Sequence, residues 1–333
     1  MNVLVTGGSG FIGINIAELI SENRDHTVIL YSRSRPPRQA MELLAQMPGT
    51  VVWEQGDVLD GERVRKVMET HGIDYVVHGA VITPNGDRER EQMETIIQVN
   101  CMGTLGVLAA AKANQVRRFV YVSSVAVYGN RCQDKDLVCV NTEKNPSNTY
   151  EITKYATELF CQRYGRLHHM DVVSLRLGDV YGPWEYRSGV RDTMSAPCQA
   201  VLCALTGTKA SMRKEGTTGW VYGRDTARAV LALLQADRLT QPVYNCGGAD
   251  RWSIPQFCAR LSRIYTGFQY CVNPEEEHPN VTFFSEKDNG MFDMEQLKED
   301  TGFVPVYDLE RGSEDYLAWL GKYPQLVTEV PVR

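Results

Sequence analysis

Short apolar runs of strand length alternate with longer amphipathic stretches along the first half of the chain. Residues 3–5, 27–31 and 51–54 are rich in β-branched and aliphatic side chains, whereas 14–20 and 62–69 carry apolar residues at helical spacing. Strands that alternate with helices in this way are typical of βαβ units and of a parallel sheet. The pattern therefore predicts an α/β fold.

The alternation continues through the middle of the chain and returns to the sheet once more near the end. Further strands are predicted at 74–80 and 118–122, separated by a loop at 83–90 and a long helix at 91–113, and one late strand at 243–246. Further helices are predicted at 196–206, 225–236, 254–265, 292–301 and 309–320, and the tail after Tyr323 is predicted to be an extended surface segment.

Three glycines follow the first predicted strand at the spacing G-x-x-G-x-x-G. Gly7 permits a tight turn, Gly10 removes a side chain where a pyrophosphate would touch the backbone, and Gly13 lets the next helix pack closely on the strand. The helix N-terminus also offers free N–H groups and a positive dipole end to an anion. The alternative is a glycine turn that binds no ligand. The place of the glycine pattern between a strand and a helix favours a dinucleotide-binding loop.

These elements predict a Rossmann-type doubly wound parallel sheet with a smaller C-terminal lobe for the substrate. The NAD(P)-binding domain is expected to span residues 1–180, with 225–248 returning to its sheet. Residues 181–224 and 249–325 would form the substrate lobe, and 326–333 a tail.

The residues after the second predicted strand favour NADP over NAD. An acid at this place would hold the 2′-hydroxyl of the NAD ribose, but the chain has Ser32, Arg33, Ser34 and Arg35. Two guanidiniums and two hydroxyls suit a 2′-phosphate, and the alternative is that the arginines are solvated loop charges. After the third strand, Asp57 either accepts a hydrogen bond from the adenine amino group or caps the following helix.

Composition narrows the class of protein. The 333 residues are 43% hydrophobic and 23% charged, as in an ordinary globular protein, and the formal net charge of −6 comes without a clustered Lys/Arg run. Nucleic-acid binding is therefore not expected. No apolar run approaches the ~20 residues of a membrane span, and the N-terminus does not resemble a signal peptide. We expect a cytoplasmic protein with no membrane partner.

Cysteine and histidine spacing gives no sign of a disulfide framework or a metal site. Nine cysteines are present, an odd number, and none forms a C-x-x-C pair. The six histidines show no H-E-x-x-H or similar spacing. Reduced thiols and no bound metal are expected.

Tyr150 and Lys154 stand four residues apart in a stretch that Ser147 or Asn148 can cap as a helix. The spacing places phenol and ammonium on one helix face, where the positive charge favours phenolate and lowers the pKa of the tyrosine toward the working range. Such a tyrosine can move a proton to or from a substrate oxygen. A Tyr-x-x-x-Lys pair alone is often ordinary helix surface, but here a serine pair at 123–124 ends the fifth strand.

In this combination the chain resembles extended short-chain dehydrogenases/reductases of the NAD-dependent epimerase/dehydratase group. The resemblance is specific over residues 1 to about 183 and weaker afterwards. Its motifs are TGGSGFIG at 6–13, GDV at 56–58, HGA at 78–80, NCMGT at 100–104, SSVAVYG at 123–129, YEITK at 150–154 and LRLGDVYGP at 175–183.

The resemblance implies roles for the matching residues. Ser124 would hydrogen-bond the reacting oxygen, Tyr150 would act as acid and base, and Lys154 would tune Tyr150 and hold the nicotinamide ribose. The predicted cofactor site, which the loops and the resemblance give together, consists of Gly7, Gly10, Phe11, Ile12, Gly13, Ser32, Arg33, Arg35, Asp57, Val58, Ala80, Asn100, Tyr150 and Lys154. The predicted substrate contacts are Thr83, Ser124, Asp179, Arg187 and Arg191.

Departures from the group weaken the case for a nucleotide-sugar substrate. Members that act on nucleotide sugars commonly have Asn where this chain has Asp179, and an anion there would repel a diphosphate. They also commonly carry two arginines that this chain lacks. The first would stand near the position of Thr218, and the second has no clear counterpart in residues 275–294 of this chain. Arg187 and Arg191 either grip a carboxylate or phosphate of the substrate or are surface charges.

The leading hypothesis is an NAD(P)-dependent oxidoreductase that transfers hydride at a secondary alcohol or ketone of a sugar-like or small polar substrate, with Tyr150 moving the proton. A nucleotide-sugar epimerase or dehydratase with tightly held NAD is a close alternative, and a non-catalytic NADP sensor is a third. The resemblance also implies a homodimer through the helices that bear Asn100 and Tyr150. The sequence does not identify the substrate, because residues 183–215 shape its pocket and no pattern fixes how they fold over the site.

Overall fold

Seven parallel strands form the central sheet of the computed structural model, which describes residues 1–133 and 135–328. In chain order the strands are β1 (Asn2–Thr6), β2 (Thr27–Ser32), β3 (Thr50–Gln55), β4 (Tyr75–His78), β5 (Arg118–Ser124), β6 (Leu137–Val138), β7 (Val172–Leu177), β8 (Val180–Tyr181), β9 (Ala210–Met212), β10 (Val221–Tyr222), β11 (Val243–Cys246), β12 (Tyr270–Val272) and β13 (Met291–Phe292). The six short strands outside the sheet form three two-stranded pairs, β8 with β10, β9 with β12 and β6 with β13.

Helices follow most of the strands. They are α1 (Phe11–Ile20), α2 (Arg38–Leu44), α3 (Gly61–His71), α4 (Gly86–Ile97), α5 (Thr104–Ala113), α6 (Thr149–His168), α7 (Ala196–Thr206), α8 (Gly223–Gln235), α9 (Ile254–Ile264), α10 (Glu295–Thr301), α11 (Leu309–Lys322) and α12 (Gln325–Thr328). A π-helical segment, Gln98–Gly103, joins α4 to α5, and a 3₁₀ segment, Val125–Cys132, follows β5.

The strand order explains where a ligand can bind. The sheet runs β3-β2-β1-β4-β5-β7-β11, so the chain winds outward in one direction from β1 and then reverses to continue through β4. Ligands of such sheets bind outside the carboxyl ends of the strands, at the point of reversal. The predicted doubly wound α/β fold is confirmed, and the glycine loop after β1 lies at this point.

Side chains of the central strands alternate between two cores. Val3 and Val5 of β1 pack in the larger core, with α1 and α8, whereas Leu4 packs in the second core, with α3 and α5. All three side chains are at most 1% exposed. Because both faces of a parallel sheet are covered, its strands read as continuous apolar runs, as the sequence of β1 does.

The late return to the sheet also follows the prediction. β11 pairs in parallel with β7, with Val243 opposite Ser174 and Cys246 opposite Leu177. The preceding helix α8 packs against α1, and Gly223 at its start lies close to the side chain of Asn15.

Several predicted boundaries were wrong. Residues 86–90 belong to α4 and not to a loop, since the Asn85 side chain accepts a hydrogen bond from the Arg88 N–H and starts the helix early. Residues 291–292 form β13, so the helix predicted at 292–301 begins only at Glu295. At the C-terminus, α12 buries Leu326 and Val327 where an extended surface segment was predicted. Residues 329–333 lie outside the described part of the chain.

The helical run 86–113 reaches the length and mean hydropathy of a membrane-spanning helix, with a window value of 1.3. The sequence prediction that no run approaches this length was therefore wrong once α4, the π-helical segment and α5 are joined. Of that window, 56% is buried inside the protein, where α5 packs against α3 and α6. The run thus serves this fold as a core element.

Candidate active site

A cavity of about 1120 Å³ lies along the carboxyl edge of the sheet. Its walls come from the glycine loop, the ends of β2 to β5 and β7, and the loops 185–193 and 282–289. The predicted site residues that line it are Gly7, Gly10, Phe11, Ile12, Gly13, Ser32, Arg33, Asp57, Val58, Ala80, Thr83, Ser124, Tyr150, Lys154, Asp179 and Arg191. Three predicted residues, all within the described ranges, do not line it: Arg35, Asn100 and Arg187.

The glycine loop is shaped to take an anion against bare backbone. Gly7 has a φ of +70°, and a Cβ atom on Gly13 would lie 2.6 Å from the Gly7 carbonyl oxygen, so neither position tolerates a side chain. Gly10 is the N-cap of α1, and no side chain caps this end of the helix. The N–H groups of the first turn therefore face the cavity, as a dinucleotide diphosphate requires. These residues fit the predicted cofactor.

The two arginines after β2, which were both predicted to contact a 2′-phosphate, lie in different places. The exposed side chain of Arg33 lines the cavity. Arg35 instead stacks over the Trp53 ring at 5.5 Å, outside the cavity wall, because that ring is fixed by a hydrogen bond from Trp53 Nε1 to Ser32 Oγ. Arg33 is thus the arginine placed to reach a ligand.

The side chain of Asp57 is free of the helix cap that was its alternative role. Asp60, not Asp57, accepts the hydrogen bond from the Arg63 N–H at the start of α3. Asp57 lines the cavity and accepts a hydrogen bond from the Leu59 N–H through Oδ1. It is therefore placed for the predicted adenine contact.

Asn100 has a structural position instead of a place in the cofactor cleft. Its side chain is 2% exposed and lies in the π-helical segment. Oδ1 accepts from the Ile82 N–H, and Nδ2 donates to the Ile82 carbonyl and to Thr153 Oγ1. Asn100 thus ties the segment after β4 to α6. The predicted place of Asn100 in the cofactor site is therefore not what the cavity lining shows.

Three hydroxyl groups meet in the cavity. Tyr150 is the second residue of α6, whose N-cap Asn148 accepts a hydrogen bond from the Glu151 N–H. The side chains of Ser124, at the end of β5, and of Thr83, after β4, line the cavity beside the Tyr150 hydroxyl and act to lower the pKa of that hydroxyl. A substrate oxygen bound here would contact a proton-transfer group and two hydrogen-bonding hydroxyls at once.

The ammonium of Lys154 lies behind this cluster, 5.9 Å from the centroid of the Tyr150 ring. Its side chain is 3% exposed, and Nζ donates to the Val122 carbonyl at 2.7 Å. Burial lowers the pKa of Lys154 to about 7. The Tyr150–Lys154 juxtaposition predicted from the sequence is therefore present.

The prediction that Lys154 lowers the pKa of Tyr150 was wrong in the direction of the pKa shift and in the residue that acts on it. Burial raises the pKa of Tyr150, and the hydrogen bond with Ser124, the positive charge of Arg191 and the hydrogen bond with Thr83 act against that rise. Lys154 is not among these causes, since its own burial already favours its neutral form. Arg191 is the cation that favours the phenolate.

Arg191 is held in place from several sides. Its guanidinium lies 2.9 Å from Glu185, over the Phe11 ring at 5.9 Å and over the Phe284 ring at 5.6 Å. Glu185 is 1% exposed and accepts hydrogen bonds from Ser195 N–H and Oγ, while burial raises its pKa. This contact was not predicted, because no pattern in residues 183–215 fixes which side chains meet there.

Two backbone hydrogen bonds attach the Arg191 loop to Thr83 of the hydroxyl cluster. The Thr83 N–H donates to the Val190 carbonyl at 2.9 Å, and the Asp192 N–H donates to the Thr83 carbonyl at 3.2 Å. Arg88 of α4 adds an ion pair with Asp192 at 3.1 Å. Thr83 therefore belongs both to the hydroxyl cluster and to the loop that carries the nearby positive charge.

At the other end of the cavity, Asp179 contacts a residue that was not predicted to belong to the site. Its carboxylate accepts a hydrogen bond from Asn289 Nδ2 at 3.2 Å, and burial raises its pKa. Asn289 lies 110 positions further along the chain. Arg187, predicted as a substrate contact, is exposed outside this cavity. Within residues 1–133 and 135–328, no group of three or more His, Cys, Asp or Glu side chains is placed to hold a metal ion.

The doubly wound sheet, the glycine loop and the Ser124–Tyr150–Lys154 arrangement define an enzyme of the short-chain dehydrogenase/reductase class. A family model described as the NAD dependent epimerase/dehydratase family matches residues 3–247. The chain belongs to this family, as its sequence motifs predicted, and its cofactor is of the NAD type.

Two dehydratases are among the relatives that the chain resembles in sequence. It is 29% identical over 265 residues to dTDP-D-glucose 4,6-dehydratase of Bos taurus, covering 79% of this chain and 72% of that protein. It is 25% identical over 339 residues to dTDP-glucose 4,6-dehydratase of Neisseria gonorrhoeae, covering 96% and 95%.

Solved structures share the fold. UDP-glucose 4-epimerase of Thermotoga maritima superimposes with a TM-score of 0.80 at 22% identity, covering 97% of this chain and 100% of that one. UDP-glucuronic acid 4-epimerase of Bacillus cereus in complex with NAD gives a TM-score of 0.79 at 23% identity, covering 97% and 99%.

Proposed function

We propose that the protein transfers hydride at a secondary alcohol or ketone of a small, sugar-like substrate. The observation that carries the proposal is the hydroxyl cluster of Ser124, Thr83 and Tyr150 beside an anion-binding glycine loop. The cavity volume of about 1120 Å³ exceeds the usual range for a single small ligand, which leaves room for a cofactor and a substrate together.

In the oxidative direction the Tyr150 phenolate takes the proton of the substrate hydroxyl, while Ser124 holds the same oxygen by a hydrogen bond. In the reductive direction the phenol returns that proton to the new alkoxide. When bound, the nicotinamide supplies the acceptor or donor of the hydride. The glycine loop would hold its diphosphate, Asp57 its adenine and Lys154 its ribose hydroxyls.

Epimerisation or dehydration of a nucleotide sugar is the second candidate. The relatives support it, since they are named as dehydratases and epimerases of such sugars. Two features of the site count against it. The Arg191 guanidinium is paired with the buried Glu185, and the wall at Asp179 offers a carboxylate to the substrate. A diphosphate needs unpaired cations or N–H donors, so these contacts favour a substrate without one.

Cofactor retention distinguishes the two candidates. The freshly purified protein is denatured, and released NAD and NADP are identified and counted per chain. A dehydrogenase exchanges cofactor with solution, so we expect a substoichiometric amount and reversible binding of added cofactor. About one retained NAD per chain would instead support epimerisation or dehydration, because these reactions return the hydride to the substrate.

We further propose that NADP is preferred. Arg33 lines the cavity at the end of β2, and the segment 32–35 carries no acid for a ribose 2′-hydroxyl. Replacing Arg33 with alanine is expected to weaken NADP binding about 10- to 100-fold through loss of a charge-assisted hydrogen bond, with NAD binding unchanged. Fluorescence titration with both cofactors measures this. Arg35→Ala is the matched control and should bind both as the wild type does. An equal effect of Arg33→Ala on NAD and NADP would contradict the preference.

The pH dependence of alcohol oxidation is expected to move to higher pH in an Arg191→Gln variant. The charge of Arg191 favours the Tyr150 phenolate, so its removal raises the pKa of the base that accepts the proton. Profiles of kcat/KM against pH measure the displacement. Arg191→Lys keeps the charge and should largely keep the wild-type profile, as should Arg187→Gln outside the cavity. Coincident profiles for all variants would remove Arg191 from this role.

We also propose a homodimer through α4, the π-helical segment and α6. Apolar side chains on these elements are between 41% and 56% exposed: Ile97, Met102, Ile152, Phe160 and Leu167. These side chains lie on adjoining elements, since α6 packs against both α4 and the π-helical segment, and apolar surface of this kind is typical of protein interfaces. Light scattering should give twice the 37.5 kDa chain mass. Phe160→Glu is expected to yield the monomer, whereas Ile264→Glu, on α9 and 58% exposed against 43% for Phe160, should not. A wild-type monomer would rule out this interface.

A further inference from the structure

The segment 183–192 begins at a rigid attachment to α1. The Pro183 carbonyl accepts a hydrogen bond from Asn15 Nδ2 at 2.8 Å, and Trp184 Nε1 donates to Glu18 at 2.8 Å. Trp184 has a φ of +67°, a left-handed conformation that is rare for a bulky residue, and its ring is fully buried. The packed ring and its hydrogen bond to Glu18 therefore fix where the segment starts.

The other end of this segment is attached to the residue after β4 and to α4. The Thr83 backbone forms hydrogen bonds with Val190 and Asp192, and Arg88 donates to the Gly189 carbonyl at 3.0 Å. We call residues 183–192 the strap. Because both ends of the strap are fixed, any opening movement involves mainly its middle.

One side-chain hydrogen bond joins the middle of the strap to the glycine loop. The Tyr186 hydroxyl donates to the Ser9 carbonyl at 2.6 Å, and the Gly10 N–H of the same peptide group donates to the Gly7 carbonyl at 2.9 Å. Burial raises the pKa of Tyr186 to about 12, so this hydroxyl stays protonated and can donate throughout the working pH range. The next residue, Arg187, is exposed.

The Tyr186–Ser9 hydrogen bond lies beside the path that a dinucleotide must take. Asp57 follows β3, Lys154 donates to a carbonyl of β5, and β1 with its glycine loop lies between these two strands in the sheet. A ligand that contacts both residues therefore passes the glycine loop. Since Ser9 and Tyr186 belong to different walls of the cavity, a bond between them resists separation of those walls.

We propose that Tyr186 is a latch that controls cofactor exchange, so that NAD(P) enters and leaves when the Tyr186–Ser9 hydrogen bond breaks and the strap moves away from the glycine loop. The bond joins two parts of the protein and not the protein to the ligand. It therefore stabilises the closed cavity equally with and without cofactor, and it sets the rates of exchange more than the affinity. The inference concerns the cofactor alone and does not depend on the substrate.

Stopped-flow fluorescence of Tyr186→Phe tests the latch. Association is followed on mixing with NADPH or NADH, and dissociation on displacement of either by an excess of its oxidised form. We expect kon and koff to rise together by about 3- to 10-fold, as the loss of one hydrogen bond allows, with Kd changed less than about twofold. The contact of Arg191 with the Phe11 ring remains in this variant, so the cavity should still close.

Tyr222→Phe is the matched control. Tyr222 also donates one hydrogen bond of 2.6 Å, to Asp315, and it does not line the cavity. Its variant should keep the wild-type values of kon and koff.

Tryptic cleavage after Arg187 measures opening of the strap without any cofactor. Cleavage requires the chain around the bond to leave the protein surface, so its rate follows the population of the open form. We expect Tyr186→Phe to be cut there about 3- to 10-fold faster than the wild type or Tyr222→Phe, with the site identified by mass spectrometry.

Two results would overturn the latch. Unchanged exchange rates or unchanged cleavage in Tyr186→Phe would mean that this hydrogen bond does not hold the strap closed. A higher koff at unchanged kon would mean that Tyr186 stabilises the bound cofactor instead of the closed cavity. Neither measurement includes a substrate, so the latch is tested even if the proposed hydride transfer fails.

Discussion

Replacing Tyr150 with phenylalanine is expected to lower kcat about 10²- to 10⁴-fold while cofactor binding survives. The variant keeps the ring but loses the group that moves the proton, and general acid–base catalysis contributes an effect of this size. The glycine loop and Lys154 are untouched, so the cofactor should bind as before. Absorbance of the reduced nicotinamide measures turnover, and fluorescence titration measures cofactor binding.

Tyr155 offers a matched control on the same helix. It packs against a small apolar cluster around Val125 and Tyr128, and it is absent from the cavity wall. Tyr155→Phe should therefore turn over substrate at nearly the wild-type rate. Unchanged turnover in Tyr150→Phe would remove the acid and base role and support a protein that only binds the cofactor.

Replacing Glu158 with glutamine is expected to lower the free energy of unfolding by about 3–5 kcal/mol. Glu158 of α6 and Arg176 of β7 form a two-bond ion pair and are 0% and 2% exposed. Removing one charge leaves the other buried without its partner, which is strongly destabilising. Arg176 would keep hydrogen bonds to the Tyr128 hydroxyl and the Val140 carbonyl, which replace only part of the lost interaction.

Urea unfolding followed by circular dichroism measures this loss as a lower midpoint at unchanged slope. Glu42→Gln is the control, because Glu42 pairs with Arg38 on the exposed surface of α2 and its loss should leave the midpoint unchanged. If the urea midpoint of Glu158→Gln equalled that of the control, other hydrogen bonds would be sufficient to stabilise the buried Arg176. Ser123, which lines the cavity, also donates a hydrogen bond to Glu158. The ion pair therefore lies directly behind one wall of the cavity.

The parts of the site that were predicted from sequence are those with local patterns. Gly7, Gly10 and Gly13 sit between a strand and a helix, and Tyr150 and Lys154 lie one helical turn apart, so their neighbours are fixed by short-range geometry. The pairs Asp179–Asn289 and Glu185–Arg191 depend on how long loops fold over the sheet. Spacing along the chain carries no information on such contacts.

Secondary structure failed where a tertiary partner decides it. β7 was not singled out as a strand, because Ser174 and Arg176 interrupt its apolar residues, and the burial of Arg176 depends on Glu158 in another element. The short strands β6 and β13 exist only because they pair with each other, with Met291 opposite Leu137. Two-residue strands leave no periodicity to read.

The late return of the chain to the sheet has a consequence for synthesis. A nascent chain holds the glycine loop, Tyr150 and Lys154 by residue 154, yet the face of α1 is covered only when α8 has emerged. Arg118 of β5 likewise donates to the carbonyls of Leu233 and Ala236 at the end of α8. The nucleotide-binding half therefore cannot complete its packing on the ribosome before about three quarters of the chain is made, and until then its apolar surface is exposed to chaperones and to aggregation.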